Sequence, residues 1–215
     1  MVLLYSLDET SEAFLQQLKV VESDFGAVTD LSAPSALPHW SIGALIGHIT
    51  ISLNLSKLSN ASQPKKHQTQ ISFREWMRRT SEFSNEIDLM TQGYAKKRSD
   101  LDITDQFVEG TQEARQFLEM VDDSAKIVLP AWDVWLSIED FLLGRVVELT
   151  CHGIDLSRSI GRSTRPAPAA ASLVAKLLDA DFESIRPAGL DDDVLWICAS
   201  TGRDSHEDNR LPLFQ

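Results

Sequence analysis

Cysteine is scarce in this chain: Cys151 and Cys198 are all there is in 215 residues. Two thiols make neither a disulfide framework nor a cysteine-rich zinc site. Each reads as a small buried hydrophobe; Cys151 adjoins His152, but neighbouring helix residues point about 100° apart. A glycine-rich phosphate loop, a G-x-S-x-G elbow and an internal repeat are all missing, so phosphoryl transfer and α/β-hydrolase chemistry have no support. No run approaches the roughly 18 to 20 apolar residues that span a bilayer. The start, MVLLYSLDET, lacks the basic region of a signal peptide, and a cytoplasmic location is expected. Basic residues are outnumbered, 20 Lys and Arg against 32 Asp and Glu for a net charge of −12, so neither nucleic acid nor a membrane is expected as a partner.

What remains is an ordinary globular composition, long enough for one domain with a small appendage. Ser6 with Glu9 makes a capping box ahead of Phe14, Leu15, Leu18, Val21 and Phe25, predicting a first helix from Glu9 to Val28. Pro34 and Pro38 make Leu31 to His39 a loop. Ser41 is an N-cap for a second helix reaching about Ser59, with Ile42, Leu45, Ile46, Ile49 and Leu53 on one face and His48 at its edge. A lone histidine so placed is ordinarily a hydrogen-bonded partner of the core. Asn60 to Gln70, with Pro64 and His67, reads as solvated loop. Ser72 with Glu75 opens a long, highly charged third helix to about Lys96, on which Arg78 and Arg79 reach an anion or simply face water. A weaker helical run, Asp105 to Val121, is interrupted by Gly110. Lys126 to Leu136 is β-branched and aromatic, but Pro130 confines it to an edge strand or extended loop, where Trp132 and Trp135 line a pocket mouth or pack in the core.

Ser137 to Gly161 is the most informative stretch. Ser137 and Asp140 resemble a capping box, and Gly161 falls where a glycine stops a helix. Glu148 and His152, four residues apart, lie one above the other and can grip one metal ion together. Phe141, Arg145, Asp155 and Ser159 share their side; Leu143, Val146, Thr150, Ile154 and Ser157 lie opposite. The plainer reading is an amphipathic surface helix with its charged stripe in water. Arg145 either steers an anion or, as the spacing favours, pairs with Glu148 or Asp155. Asp155 either fixes an imidazole or is a surface charge.

A short helix follows from Ala169 to about Phe182, and Asp191 to Asp193 and the charges of the tail VLWICASTGRDSHEDNRLPLFQ read as exposed. Four long helices predict a bundle over residues 1–165, with 166–215 a short C-terminal α(+β) extension packed on it. Inward side chains of facing helices build metal sites in such bundles, and His48 would join Glu148 and His152.

Two motifs then carry a resemblance. Trp40-Ser41, Leu45 and His48 fit W-[ST]-x3-L-x2-H, and Arg145, Glu148, His152, Gly153, Asp155 and Leu156 fit R-x2-E-x3-H-G-x-D-L. The chain resembles the metal-binding domain of mycothiol-dependent maleylpyruvate isomerases, in the DinB-like superfamily, over roughly Glu9 to Pro166. Thr201-Gly202-Arg203 is similar to a signature late in such chains. The resemblance implies a mainly α, DinB-like four-helix bundle in which His48, Glu148 and His152 hold a divalent metal, usually zinc. Ala44 departs from a frequently acidic position, and the isomerases have a larger C-terminal domain than the part remaining here.

Three N and O ligands leave a coordination position open, as in catalytic zinc sites. A thiol there would be deprotonated, and a cosubstrate such as mycothiol would supply it to a Cys-poor protein. The expected activity is that of a metal-dependent thiol transferase or isomerase acting on a small electrophile, as monomer or homodimer. Arg145, Asp155, Arg79 and Trp132 are the supporting or substrate-facing candidates. The alternatives are a non-catalytic metal-binding module, maleylpyruvate cis/trans isomerisation proper, and metal-assisted hydrolysis, for which the sequence offers no general base.

Overall fold

The structure, a computed structural model, describes residues 5–55, 63–82, 84–129 and 132–213. Polar side chains take up otherwise unpaired amides at most helix starts. Helix α1 (Leu7–Phe25) opens on a complete Ser6/Glu9 capping box, and α2 (Ile42–Leu53) on Ser41, whose hydroxyl accepts from the Ala44 amide. A two-residue strand β1 (Thr69–Gln70) leads to α3 (Phe73–Ser81), capped by Ser72, and then to α4 (Ser84–Lys96). Helix α5 (Asp100–Met120) starts on a Ser99/Asp102 capping box. Strands β2 (Lys126–Leu129) and β3 (Val134–Ser137) pair antiparallel, and Ser137 then caps α6 (Ile138–Ser159). Helices α7 (Pro168–Phe182) and α8 (Asp193–Ser200) close the chain.

The mainly α, DinB-like bundle consists of α1, α2, α5 and α6. Helix α6 packs along α1 and against α2, and α5 meets both α2 and α1. Phe14, Leu18, Leu45, Ile49, Phe107 and Phe141 fill the space between them. Helix α7 lies on α1 and α6, and α8 on α7, with the buried Trp196 edge-on to Phe182 at 5.1 Å. No helix among the described residues is long and apolar enough to cross a membrane.

Several expectations change. The third helix is two helices because its halves serve different partners: α3 docks Trp76 on α6, while α4 docks Tyr94 on α2. The fourth bundle helix is therefore α5, which starts at Asp100 rather than Asp105. Gly110 does not interrupt it, since that glycine rests against Leu53 and Thr50 of α2. The end of the supposed solvated loop supplies β1, which pairs parallel with β3 and makes β3 the central strand. Pro130 lies outside the described residues, as does any continuation of α2 from residue 56 to Ser59. Asp192 is not a free surface charge but the N-cap of α8, and its carboxylate also meets Arg165.

Two glycines in α6 set its ends and its packing. Gly161, at φ +68°, stands in the left-handed region; its amide donates to Arg158 and the Arg162 amide to Ser157, closing the helix in a Schellman motif. Gly153 faces α1, where an added Cβ would lie 2.7 Å from Gln17 Nε2. The buried Gln17 amide donates to the Leu149 carbonyl and accepts from the Ala167 amide, joining α1, α6 and the start of α7. Gly153→Ala is expected to break these bonds and cost about 1–3 kcal/mol in chemical denaturation. Gly93→Ala, with nothing within 4 Å of the new methyl, should be neutral or gain roughly 0.5–1 kcal/mol.

Candidate metal centre

The site is assembled by helix entry angles. Before α2 the loop folds back on itself, with Ser35 donating to the Trp40 carbonyl and Pro34 bridging to Ser41, and passes through His39 at φ +67°. That turn aims Trp40 across the head of the bundle, where its indole nitrogen donates to Asp88 of α4. Within α2, Gly47 leaves room for the Tyr94 ring, which an added Cβ would meet at 2.2 Å. The next residue, His48, points to α6.

There it meets Glu148 and His152. His48 Nε2 lies 3.1 Å from Glu148 Oε2, and His152 Nε2 lies 3.5 Å from the same oxygen. One donor atom from each residue fits within 4.8 Å of the others. A tetrahedral ion with N and O ligands at 2.0–2.2 Å spaces its donors by about 3.3 Å, and the two distances from Glu148 to the imidazoles bracket that value. The side chains are only 14–19% exposed. The Trp40 ring covers both imidazoles, with centroids 5.2 Å from His48 and 6.2 Å from His152. A surface cleft of about 540 Å³, formed by the loop of residues 32–41, has Trp40 in its lining.

Each imidazole has a partner on its other nitrogen. Thr91 Oγ1 of α4 lies 3.4 Å from His48 Nδ1, and Asp155 Oδ2 lies 3.0 Å from His152 Nδ1. The second contact fixes the tautomer whose Nε2 is free to bind a cation. Asp155 is itself gripped by Arg203, with Nε at 2.9 Å and Nη2 at 2.6 Å from its two oxygens, and Arg203 Nε also donates to the Cys151 carbonyl. Arg203 follows α8, so the C-terminal segment reaches the site through this ion pair.

The protonation tendencies follow from these contacts. Burial pulls the His48 pKa down, toward the neutral form that binds metal. Burial also opposes charge on His152, but the bonds from Asp155 and Glu148 outweigh it and raise its pKa. Glu148 is likewise buried, yet both imidazoles hold it well below the usual carboxylate range, and His152 with Arg203 holds Asp155 low.

The sequence candidates divide clearly. His48, Glu148, His152 and Asp155 come together, so the polar stripe of α6 turns inward and α6 is not a surface helix. Arg145 pairs with neither Glu148 nor Asp155; its guanidinium lies over the Trp76 ring at 4.8 Å and near Phe141 at 5.5 Å. Arg79 is tied to Glu75 on its own helix at 2.8 Å, and Arg78 to Glu75 and Glu82. Trp132 packs half-buried against the core. Thr91 and Asp88 carried no sequence signal. Arg203, read among exposed tail charges, is largely buried; the T-G-R signature was the clue to it.

A family model described as the mycothiol maleylpyruvate isomerase N-terminal domain matches residues 23–157, well over half of the chain. Comparison with curated proteins and with solved structures gives no match. A match of that extent runs through α2 and nearly all of α6, the helices that bring His48, Glu148 and His152 together, and the chain belongs to the family of mycothiol maleylpyruvate isomerase N-terminal domains.

Proposed function

We propose that this protein is a divalent-metal-dependent thiol transferase or isomerase, with His48, Glu148 and His152 as ligands, zinc as the ion and a low-molecular-weight thiol of the mycothiol kind as cosubstrate. The observation that carries the reading is the convergence of three N and O donors from two helices within 4.8 Å of one another, a set that would leave a coordination position open on a tetrahedral ion. A bound divalent ion would lower the pKa of an incoming thiol and so supply a nucleophile at neutral pH. The chain's own thiols suit that task poorly, because burial pushes Cys151 and Cys198 up to about 11. The sulfur therefore comes from a small molecule. Its addition to an electrophilic carbon gives a conjugate or, when it leaves again from a double bond, a cis/trans isomer.

The protein's part is placement and exclusion of water. Asp155 orients His152, Arg203 keeps Asp155 ionised, and Trp40 covers the imidazoles. A second reading, a non-catalytic module stabilised by its ion, is favoured by one feature: the donors tie α2 to α6.

Purified protein is expected to hold one zinc per chain by elemental analysis and to conjugate a small thiol to a reactive electrophile, with His48→Ala and Glu148→Ala losing both properties. Equal turnover in wild type and His48→Ala would end the catalytic proposal. A large fall in Tm on chelation, without turnover in the loaded wild type, selects the structural module. Arg203→Met should weaken zinc binding about 10- to 100-fold in competition with a chromogenic chelator, because the partner that fixes His152 loses its own support. Arg203→Lys should restore part of that affinity.

A further inference from the structure

Arg145 is a half-buried cation with no hydrogen-bond acceptor or ion-pair partner among the described residues. Its Nε is out of contact with solvent and has no hydrogen-bond partner, and no described carboxylate lies within ion-pair distance. Every other arginine in the chain donates to an oxygen: Arg98 to the Tyr94 carbonyl, and the rest to carboxylates, as Arg203 does to Asp155 and Arg115 to Glu22. Burying a guanidinium without a partner is costly, and such groups call for an explanation outside the free protein.

Its position supplies one. Arg145 precedes Glu148 by three residues and His152 by seven, so the three form a single stripe along α6. The guanidinium rests on a platform of Trp76 and Phe141, whose rings stack at 5.7 Å. The platform is built for it: Gly144 admits the Trp76 ring, which would lie 2.4 Å from an added Cβ. Aromatic faces stabilise a guanidinium while leaving its in-plane N–H groups free, which is the geometry for holding a planar carboxylate.

Charge points the same way. Once a divalent ion occupies the three ligands, that ion and the guanidiniums of Arg145 and Arg203 face the carboxylates of Glu148 and Asp155, an excess of two positive charges. A thiolate and one carboxylate would neutralise it.

From these observations we infer that Arg145 is the anion-recognition residue of the site, binding a carboxylate of the ligand beside the metal position. The inference deepens the thiol-transfer reading and rests on it for the ligand's role, while carboxylate binding itself can be tested with or without metal. Malonate and its uncharged isostere malonamide are the probes, titrated by calorimetry into zinc-loaded and chelated protein. Malonate should bind wild type in both states and malonamide in neither. Arg145→Met should retain the zinc content of wild type and lose malonate affinity at least about tenfold, the equivalent of one charged hydrogen bond, with Arg145→Lys falling in between. Arg145→Lys also serves as the folded comparison if the methionine variant is unstable.

Unchanged malonate affinity in Arg145→Met would overturn the inference. So would malonate binding confined to the zinc-loaded state and lost in His48→Ala, since the carboxylate would then sit on the ion. Binding that depends on Arg145 in a wild type found to take up no zinc would preserve the anion site and defeat the metal-based function. For the reaction, kcat/KM for a carboxylate-bearing electrophile should fall in Arg145→Met, with little change for an uncharged one. Equal falls for both would assign Arg145 a merely structural part.

Discussion

Glu148 is the constraint around which this molecule is arranged. Removing a carboxylate from water costs several kcal/mol unless positive charge replaces its hydration. Here two imidazoles from different helices meet the same oxygen. One of them, His48, is pushed by burial toward neutrality, so the imidazoles alone compensate the carboxylate incompletely. A divalent cation at their centre would complete the balance and require both rings to be neutral. That condition agrees with the shift on His48 and is opposed on His152 only by the carboxylates an ion would engage or screen.

The close approaches elsewhere serve this meeting of α2 and α6. Gly47 lets Tyr94 lie against α2 one residue before His48, Gly144 lets Trp76 lie against α6 one residue before Arg145, and Gly153 lets Gln17 reach across one residue after His152. His48, Arg145 and His152 are thus each next to a notch in their own helix. The notch fixes the distance at which a neighbouring element packs, and that distance fixes where the functional residue points. Support continues outward through Asp155 to Arg203, so a segment beyond the matched domain helps hold His152 in place within it.

Much of this was legible in the sequence because it is local. Serine caps and helical periodicity marked α1, α2 and α6, and the four-residue spacing of Glu148 and His152 forced them onto one face. His48 was legible through the facing helices of a bundle and through its motif, since an apolar face with one histidine by itself reads equally well as core. What escaped notice is non-local. Nothing in the third charged segment shows that Trp76 and Tyr94 dock on different helices and so divide it into α3 and α4. The exception is the start of α5, where Ser99 and Asp102 form a capping box that is local and legible in the sequence. Arg203 looked exposed because a tail rich in Asp, Glu and Arg ordinarily is, and its burial depends on an acceptor 48 residues earlier.

The same physics separates the chain's thiols from its proposed chemistry. Cys151 lies in the turn between Glu148 and Asp155, and the negative charge on that turn adds to desolvation in keeping its thiol protonated. A centre meant to activate its own cysteine would need positive charge beside that sulfur and access to solvent. Positive charge does lie beside both thiols, Arg203 against Cys151 and Arg158 donating to Cys198 Sγ at 3.4 Å, but burial outweighs it and raises both pKa values. The protein's own sulfur is therefore held protonated by burial, and on the proposed reading the reacting sulfur has to arrive from outside. On the same reading the site would discriminate by charge as well as by shape, because an uncharged visitor would leave the Arg145 guanidinium as unsatisfied as before.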